Sequence, residues 1–150
     1  MPTFINHYTM NNFAGRVKSA IFATTLLLLF ASCSNDDNIT EIFREREWTL
    51  SLVKEGAVER YSNKKYKVQF ADNSFDATMP GGATIHGKWE ADGGTKSFRC
   101  WDVRTEGSIK GDTIAEKMLQ IFRDATSYDG DTNWLQIKQQ KNVYMQFYSK

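Results

Sequence analysis

The sequence predicts an α+β fold that is mostly β: an antiparallel curled sheet or small barrel of about seven strands, with one helix between the fifth and sixth strands. Three observations predict it. Apolar and polar residues alternate in short runs from residue 47 onward. Asp-, Asn- and Gly-rich punctuation separates those runs at close spacing, which favours hairpins. The period changes once, between residues 112 and 125, from two to the helical repeat.

The first strand is Glu47-Trp48-Thr49-Leu50-Ser51-Leu52, which alternates apolar and polar as a half-buried strand does. Tyr66, Val68 and Phe70 alternate with Lys67 and Gln69 in the second. Asp72-Asn73-Ser74 reads as a turn, and Phe75 to Met79 as the third strand. Pro80-Gly81-Gly82 breaks the chain before a fourth strand, Thr84 to Glu90, with Ile85 and Trp89 on one face. Asp92-Gly93-Gly94 is a hairpin signal. It leads to a fifth strand, Ser97 to Val103, with Phe98 and Cys100 on one side and Trp101 and Val103 on the other.

Ile114, Met118, Ile121, Phe122 and Ala125 then form one helical stripe. Asp112 or Thr113 can cap its start, and Thr113-Ile114-Ala115-Glu116 matches a capping box. Tyr128-Asp129-Gly130-Asp131 reads as the turn that ends this region. Trp134 to Lys138 and Val143 to Tyr148 complete the sheet.

The N-terminal third has a different character. Arg16 and Lys18 precede an apolar run, Ser19 to Ala31, which stops at Ser32-Cys33. That is the layout of a secretory signal, and Phe30-Ala31-Ser32-Cys33 is similar to the lipobox of bacterial lipoproteins. The expected organisation is a signal peptide over 1–32, a lipidated Cys33 with a flexible tether over 33–46, and one β-rich domain over 47–150. The apolar run is shorter than the roughly 20 residues that span a bilayer, and Met10 offers a second start that gives a leader of more usual length. The expected address is the cell envelope, as an outer-membrane lipoprotein. The acidic spacer Ser34-Asn35-Asp36-Asp37-Asn38 resembles the tethers that carry some lipoproteins to the cell surface.

Composition narrows the partners. Setting the leader aside leaves 17 basic side chains against 18 acidic ones. Without a concentrated basic face there is no electrostatic case for nucleic acid; Lys64-Lys65-Tyr66-Lys67 is a local cluster at a strand start. With Cys33 acylated, Cys100 stands alone, so no internal disulfide is expected, and a lone strand cysteine behaves as a small hydrophobe.

The chain after residue 46 resembles the META/HslJ-like domain found in many bacterial envelope lipoproteins. The resemblance is carried by Trp48-Thr49-Leu50, Phe70, the hairpin Ile85-His86-Gly87-Lys88-Trp89, Thr105, the helix of 113–125, Tyr128-Asp129-Gly130, Leu135-Gln136-Ile137 and Tyr144-Met145-Gln146-Phe147. Gly87-Lys88-Trp89 stands where that family has Gly-Cys-Asn, and the cysteine after Thr105 is missing. The resemblance implies a β-rich envelope domain with no shared catalytic site.

Chemistry-bearing patterns are sparse. Asp129-Gly130-Asp131-Thr132-Asn133 begins like a calcium loop, but Trp134 and Gln140 stand where an EF-hand needs Gly and Glu. His86 is the only histidine after the leader, and a zinc site needs several such ligands. Asp102 and Glu106 could act as an acid–base pair only if folding held them together in a cleft. No catalytic, metal-binding or cofactor-binding residue is therefore assigned, and no cofactor is expected. The expected function is a non-enzymatic binding or interaction module, held to the membrane through Cys33. Trp101 and Tyr144 would present aromatic rings to a protein or glycan. The alternatives are a lipocalin-like carrier of an apolar ligand in a cavity lined by Phe70, Trp89 and Phe98, and a structural protein of envelope stress.

Overall fold

The structure, a computed structural model, describes residues 37–63 and 65–149; the predicted signal peptide over 1–32 and Cys33 lie outside the described residues. Among these residues nine strands form a single antiparallel sheet: β1 (Glu47–Glu55), β2 (Val58–Tyr61), β3 (Lys67–Phe70), β4 (Ser74–Thr78), β5 (Thr84–Asp92), β6 (Ser97–Glu106), β7 (Ser127–Gly130), β8 (Trp134–Gln140) and β9 (Val143–Ser149). The helix α1 (Thr113–Asp124) lies between β6 and β7. β1 pairs with β9 along one edge, and with β3 and then β2 along the other. The sheet therefore closes on itself through the β1–β9 pairing, with β2 left paired on one side only. Its thinnest seam is between β6 and β7, paired only at Ser97 and Ser127, where the helix is inserted.

The predicted class and the place of the helix are observed. Two strands are additional. β2 is the return arm of a tight hairpin turning at Gly56, whose φ of +62° suits glycine. Its four residues bury no apolar side chain, so alternation gives no sign of it. β7 occupies Ser127–Gly130, where a turn was expected; Tyr128 points into the core and only Asp131–Asn133 turn.

Two bulges correct the predicted facing of side chains. In β1, Leu50 pairs with Phe147 and Leu52 with Gln146, so Ser51 is an extra residue. The inward face passes from Trp48 and Leu50 to Val53, and Leu52 turns out beneath its partner Tyr61. In β6, Lys88 pairs with Trp101 and His86 with Arg104, leaving Asp102 and Val103 opposite Gly87. Asp102 has φ +53°, and the extra residue returns Val103 to the core instead of leaving it outside with Trp101.

Both ends of the barrel are stopped. At one end α1 inserts Ala115, Met118, Ile121 and Phe122, and Phe122 stacks on Phe75 with ring centroids 4.4 Å apart. Its cap is Asp112, which accepts from Ala115 N at 3.0 Å, while Glu116 accepts from Gly111 N at 3.0 Å. The predicted capping box is thus set one residue earlier, on Asp112 rather than Thr113. At the other end a π-helical turn, Thr40–Arg44, buries Ile42 and Phe43. This corrects the expectation that 33–46 is all flexible tether. From Asp37 onward the segment is bound to the barrel: Asp37 accepts from Tyr128 Oη at 2.7 Å and pairs with Lys96, and Trp48 Nε1 donates to Ile42 O at 3.1 Å.

Candidate functional site

The interior is filled where a carrier would need space. Phe43 sits among Phe70, Trp89 and Phe98, at centroid separations of 5.1, 4.8 and 5.5 Å. Tyr128 closes the fourth side at 5.2 Å. These are edge and stacking contacts of a packed aromatic core. The three residues expected to line a ligand cavity instead grip a side chain of the protein itself.

Outside this core, the wall of β4, β5 and β6 is grooved. Beside the Asp102 bulge this wall carries a groove of about 300 Å³ lined by Ser74, Asp76, His86, Lys88, Asp102 and Arg104. A second groove, of about 400 Å³, shares Ser74 and Asp76 and continues past Gln69 to Arg44 and Arg46. Gly87 makes the wall thin: a Cβ there would meet Phe75 Cε1 at 2.6 Å. Phe75 lies directly beneath the groove floor.

His86 is held between two carboxylates. Its Nδ1 faces Asp76 and its Nε2 lies 3.2 Å from Glu106 Oε2. The sequence showed only a solitary histidine. The register supplies the partners, because Asp76 pairs with His86 across β4–β5. A hydrolytic triad needs one imidazole nitrogen on a carboxylate and the other on a nucleophilic hydroxyl. Here carboxylates take both, although Ser74 lines the same groove. Asp102 and Glu106 do not pair: Asp102 lies 3.5 Å from Lys88, and Glu106 is on His86. Among the described residues, no group of three or more His, Cys, Asp or Glu side chains is arranged to hold a metal ion. Asp131 instead caps its own turn, accepting from Asn133 N at 2.6 Å and Trp134 N at 3.2 Å.

Cys100 lies inward on β6, packed against the core, and burial pushes its thiol pKa far up. That environment disfavours the reactive thiolate. Trp101, its neighbour, faces out with 37% of its surface exposed, and the Arg99 guanidinium lies over its ring at 5.4 Å. Tyr144 is half-buried on β9, paired with Lys54 and Lys138. Trp101 and Tyr144 are on strands separated by β7 and β8, so they do not form one patch. Pairing brings together a different aromatic couple, Trp134 and Tyr148, exposed at 38% and 42%. Both were legible as alternate positions on the last two strands, but only the register makes them neighbours.

Comparison with known proteins decides the family. A model of a domain of unknown function, DUF4847, matches residues 53–149. The chain belongs to the DUF4847 family. This corrects the META/HslJ resemblance, which rested on strand and turn residues that any small closed sheet reuses; the absent Gly-Cys-Asn and the missing cysteine after Thr105 mark where it failed. The crystal structure of a DUF4847 family protein from Bacteroides vulgatus ATCC 8482 shares the fold, with a TM-score of 0.56 and 19% identity. That likeness covers 74% of this chain and 96% of the other. No curated protein matches the chain. DUF4847 membership thus carries the fold and leaves the activity to be argued from the site.

Proposed function

We propose that this DUF4847 protein is a lipid-anchored envelope protein whose barrel is a non-enzymatic binding or interaction module. The observation that carries the binding reading is the placement of Phe43. With that ring seated among Phe70, Trp89 and Phe98, recognition falls to the outer wall rather than to an enclosed ligand. The outer wall offers Trp101 with Arg99 over its ring, next to the groove of Asp76, His86, Lys88 and Arg104. An exposed tryptophan beside a polar groove of both charges suits a protein or glycan partner. Anchorage is supported by the leader and by Cys33 after Ala31-Ser32.

The test has two arms. Membrane fractionation and protease treatment of intact and lysed cells compare the parent with Cys33→Ser. The parent is expected in the outer-membrane fraction and the variant in the soluble one; a parent protein that is soluble ends the anchorage reading. A photo-activatable side chain at position 101 in intact cells is expected to yield a discrete adduct. One placed at Lys141, on the β8–β9 turn, is expected to yield none. Absence of an adduct at 101 removes that wall as the contact.

A further inference from the structure

The antiparallel order puts alternate turns at the same end of the barrel. The β3–β4, β5–β6 and β7–β8 turns, the start of β1 and the end of β9 share the end stopped by Phe43. The chain joins the barrel at this end. Asp37 N donates to Gly93 O at 3.3 Å, and its carboxylate holds Lys96 and Tyr128. Cys33 precedes Asp37 by only four residues. Even fully extended, four residues reach about 14 Å. A lipid on Cys33 leaves this end no room to stand far from the bilayer.

The same end carries the cross-strand pair Trp134 and Tyr148, exposed at 38% and 42%. Trp134 follows the β7–β8 turn directly, and Tyr148 lies one residue from the last residue of β9. Tryptophan and tyrosine are the side chains that settle at the headgroup level of a bilayer, where one part of the ring is apolar and the other wet. The turns and strand ends at this end carry Arg44, Arg46 and Lys96 against Asp37, Glu41, Glu45, Glu47, Asp72, Asp92 and Asp131. That balance does not attract an anionic surface, so the fit is to a zwitterionic one. We infer that Trp134 and Tyr148 form a membrane-contacting rim that lays the anchored barrel end-on against zwitterionic phospholipid, with the α1 end pointing away. This rests on the Cys33 anchor proposed above.

The test uses the full, processed protein reconstituted in phosphatidylcholine vesicles, with and without bromine on the upper acyl carbons. Trp48 and Trp89 are buried, so quenching reports on Trp101 and Trp134. The parent is expected to be quenched, Trp101→Phe to be quenched equally, and Trp134→Phe to lose most of the quenching. Unchanged far-ultraviolet circular dichroism and thermal midpoint verify the fold of each variant. As a second probe that alters no tryptophan, Tyr148→Ser is expected to reduce the quenching of Trp134. Mass analysis of the N-terminal peptide reads acylation separately. Acylated protein whose quenching ignores Trp134→Phe, or is lost with Trp101→Phe, overturns the rim alone. A Cys33 without acyl chains overturns the anchor and the rim together.

Discussion

The two ends of the barrel are closed by opposite means. One stopper is the twelve-residue α1, which satisfies its own backbone, is capped by Asp112 and stacks Phe122 on Phe75. The other is the five-residue turn Thr40–Arg44, too short to be stable as a helix in isolation. It is held from outside: Asp37 on Lys96 and Tyr128, Arg44 on Asp72, Ile42 O under Trp48 Nε1. Both deliver one phenyl ring to the same aromatic column, which runs Phe43, Phe70, Phe75, Phe122. The difference teaches that a barrel end can be sealed by a single well-placed ring, provided the chain behind it is tied down. The short stopper should open first, because its stability is almost all tertiary.

The sharpest way to break the comparison is to remove each ring. Phe43→Ala is expected to cost about 3–5 kcal/mol, the range for a fully buried phenylalanine, with Phe122→Ala close to it. Urea unfolding of both variants measures this. A cost for Phe43→Ala well below that for Phe122→Ala would mean the short turn is a loose cover rather than a stopper. The wall between the two ends is probed by Gly87→Ala. Its new Cβ would strike Phe75, which is stacked on Phe122. Overpacking of this kind costs about 1–3 kcal/mol, and amide exchange should rise in α1 more than in residues 40–44.

The contrast between the stoppers also separates what was legible in the sequence from what was not. α1 could be read because Met118, Ile121 and Phe122 repeat at the helical period over a long enough stretch. The turn of 40–44 has no room for a period, and Ile42-Phe43 between charged residues looks like any linker. Strand positions were legible where alternation was unbroken, as in β4. They failed after Ser51 and at Asp102, since a bulge is one extra residue that alters no residue type and flips every side chain beyond it. The candidate wall was hidden for a related reason. Asp76, His86 and Glu106 are ten and twenty residues apart, and only register makes them neighbours. Trp101 was visible because it stands out of phase with Phe98 and Cys100.

A smaller effect tests how self-sufficient the helical stopper is. Asp112 caps α1 and also accepts from Tyr66 Oη, 2.9 Å from each carboxylate oxygen. Burial, with Asp112 second, pushes the Tyr66 hydroxyl up to about 12. Asp112→Ala is expected to cost about 1–2 kcal/mol as a lost N-cap. Tyr66 should then titrate lower, yet still above an ordinary tyrosine because burial remains, as followed by tyrosinate absorbance. A cost near zero would show that packing on Phe75 alone holds the helix.

The smallest effect concerns the tie that holds the short stopper. Burial alone would raise the Asp37 carboxyl, but the bonds from Lys96 and Tyr128 outweigh it and hold its pKa below the usual aspartate value. A carboxylate depressed in the folded state adds stability above its unfolded pKa and loses it as pH falls through the folded one. Neutral conditions therefore keep the tie whole, and acid below the ordinary aspartate range releases it. Corrected for intrinsic exchange, which itself slows in acid, protection at Ile42 and Phe43 should fall in that acid window while protection in α1 stays unchanged. Asp37→Asn should give the lower protection already at neutral pH and flatten its pH dependence. Equal acid sensitivity at both ends of the barrel would show that acid loosens the whole sheet, and that Asp37 is not what fastens Phe43 in place.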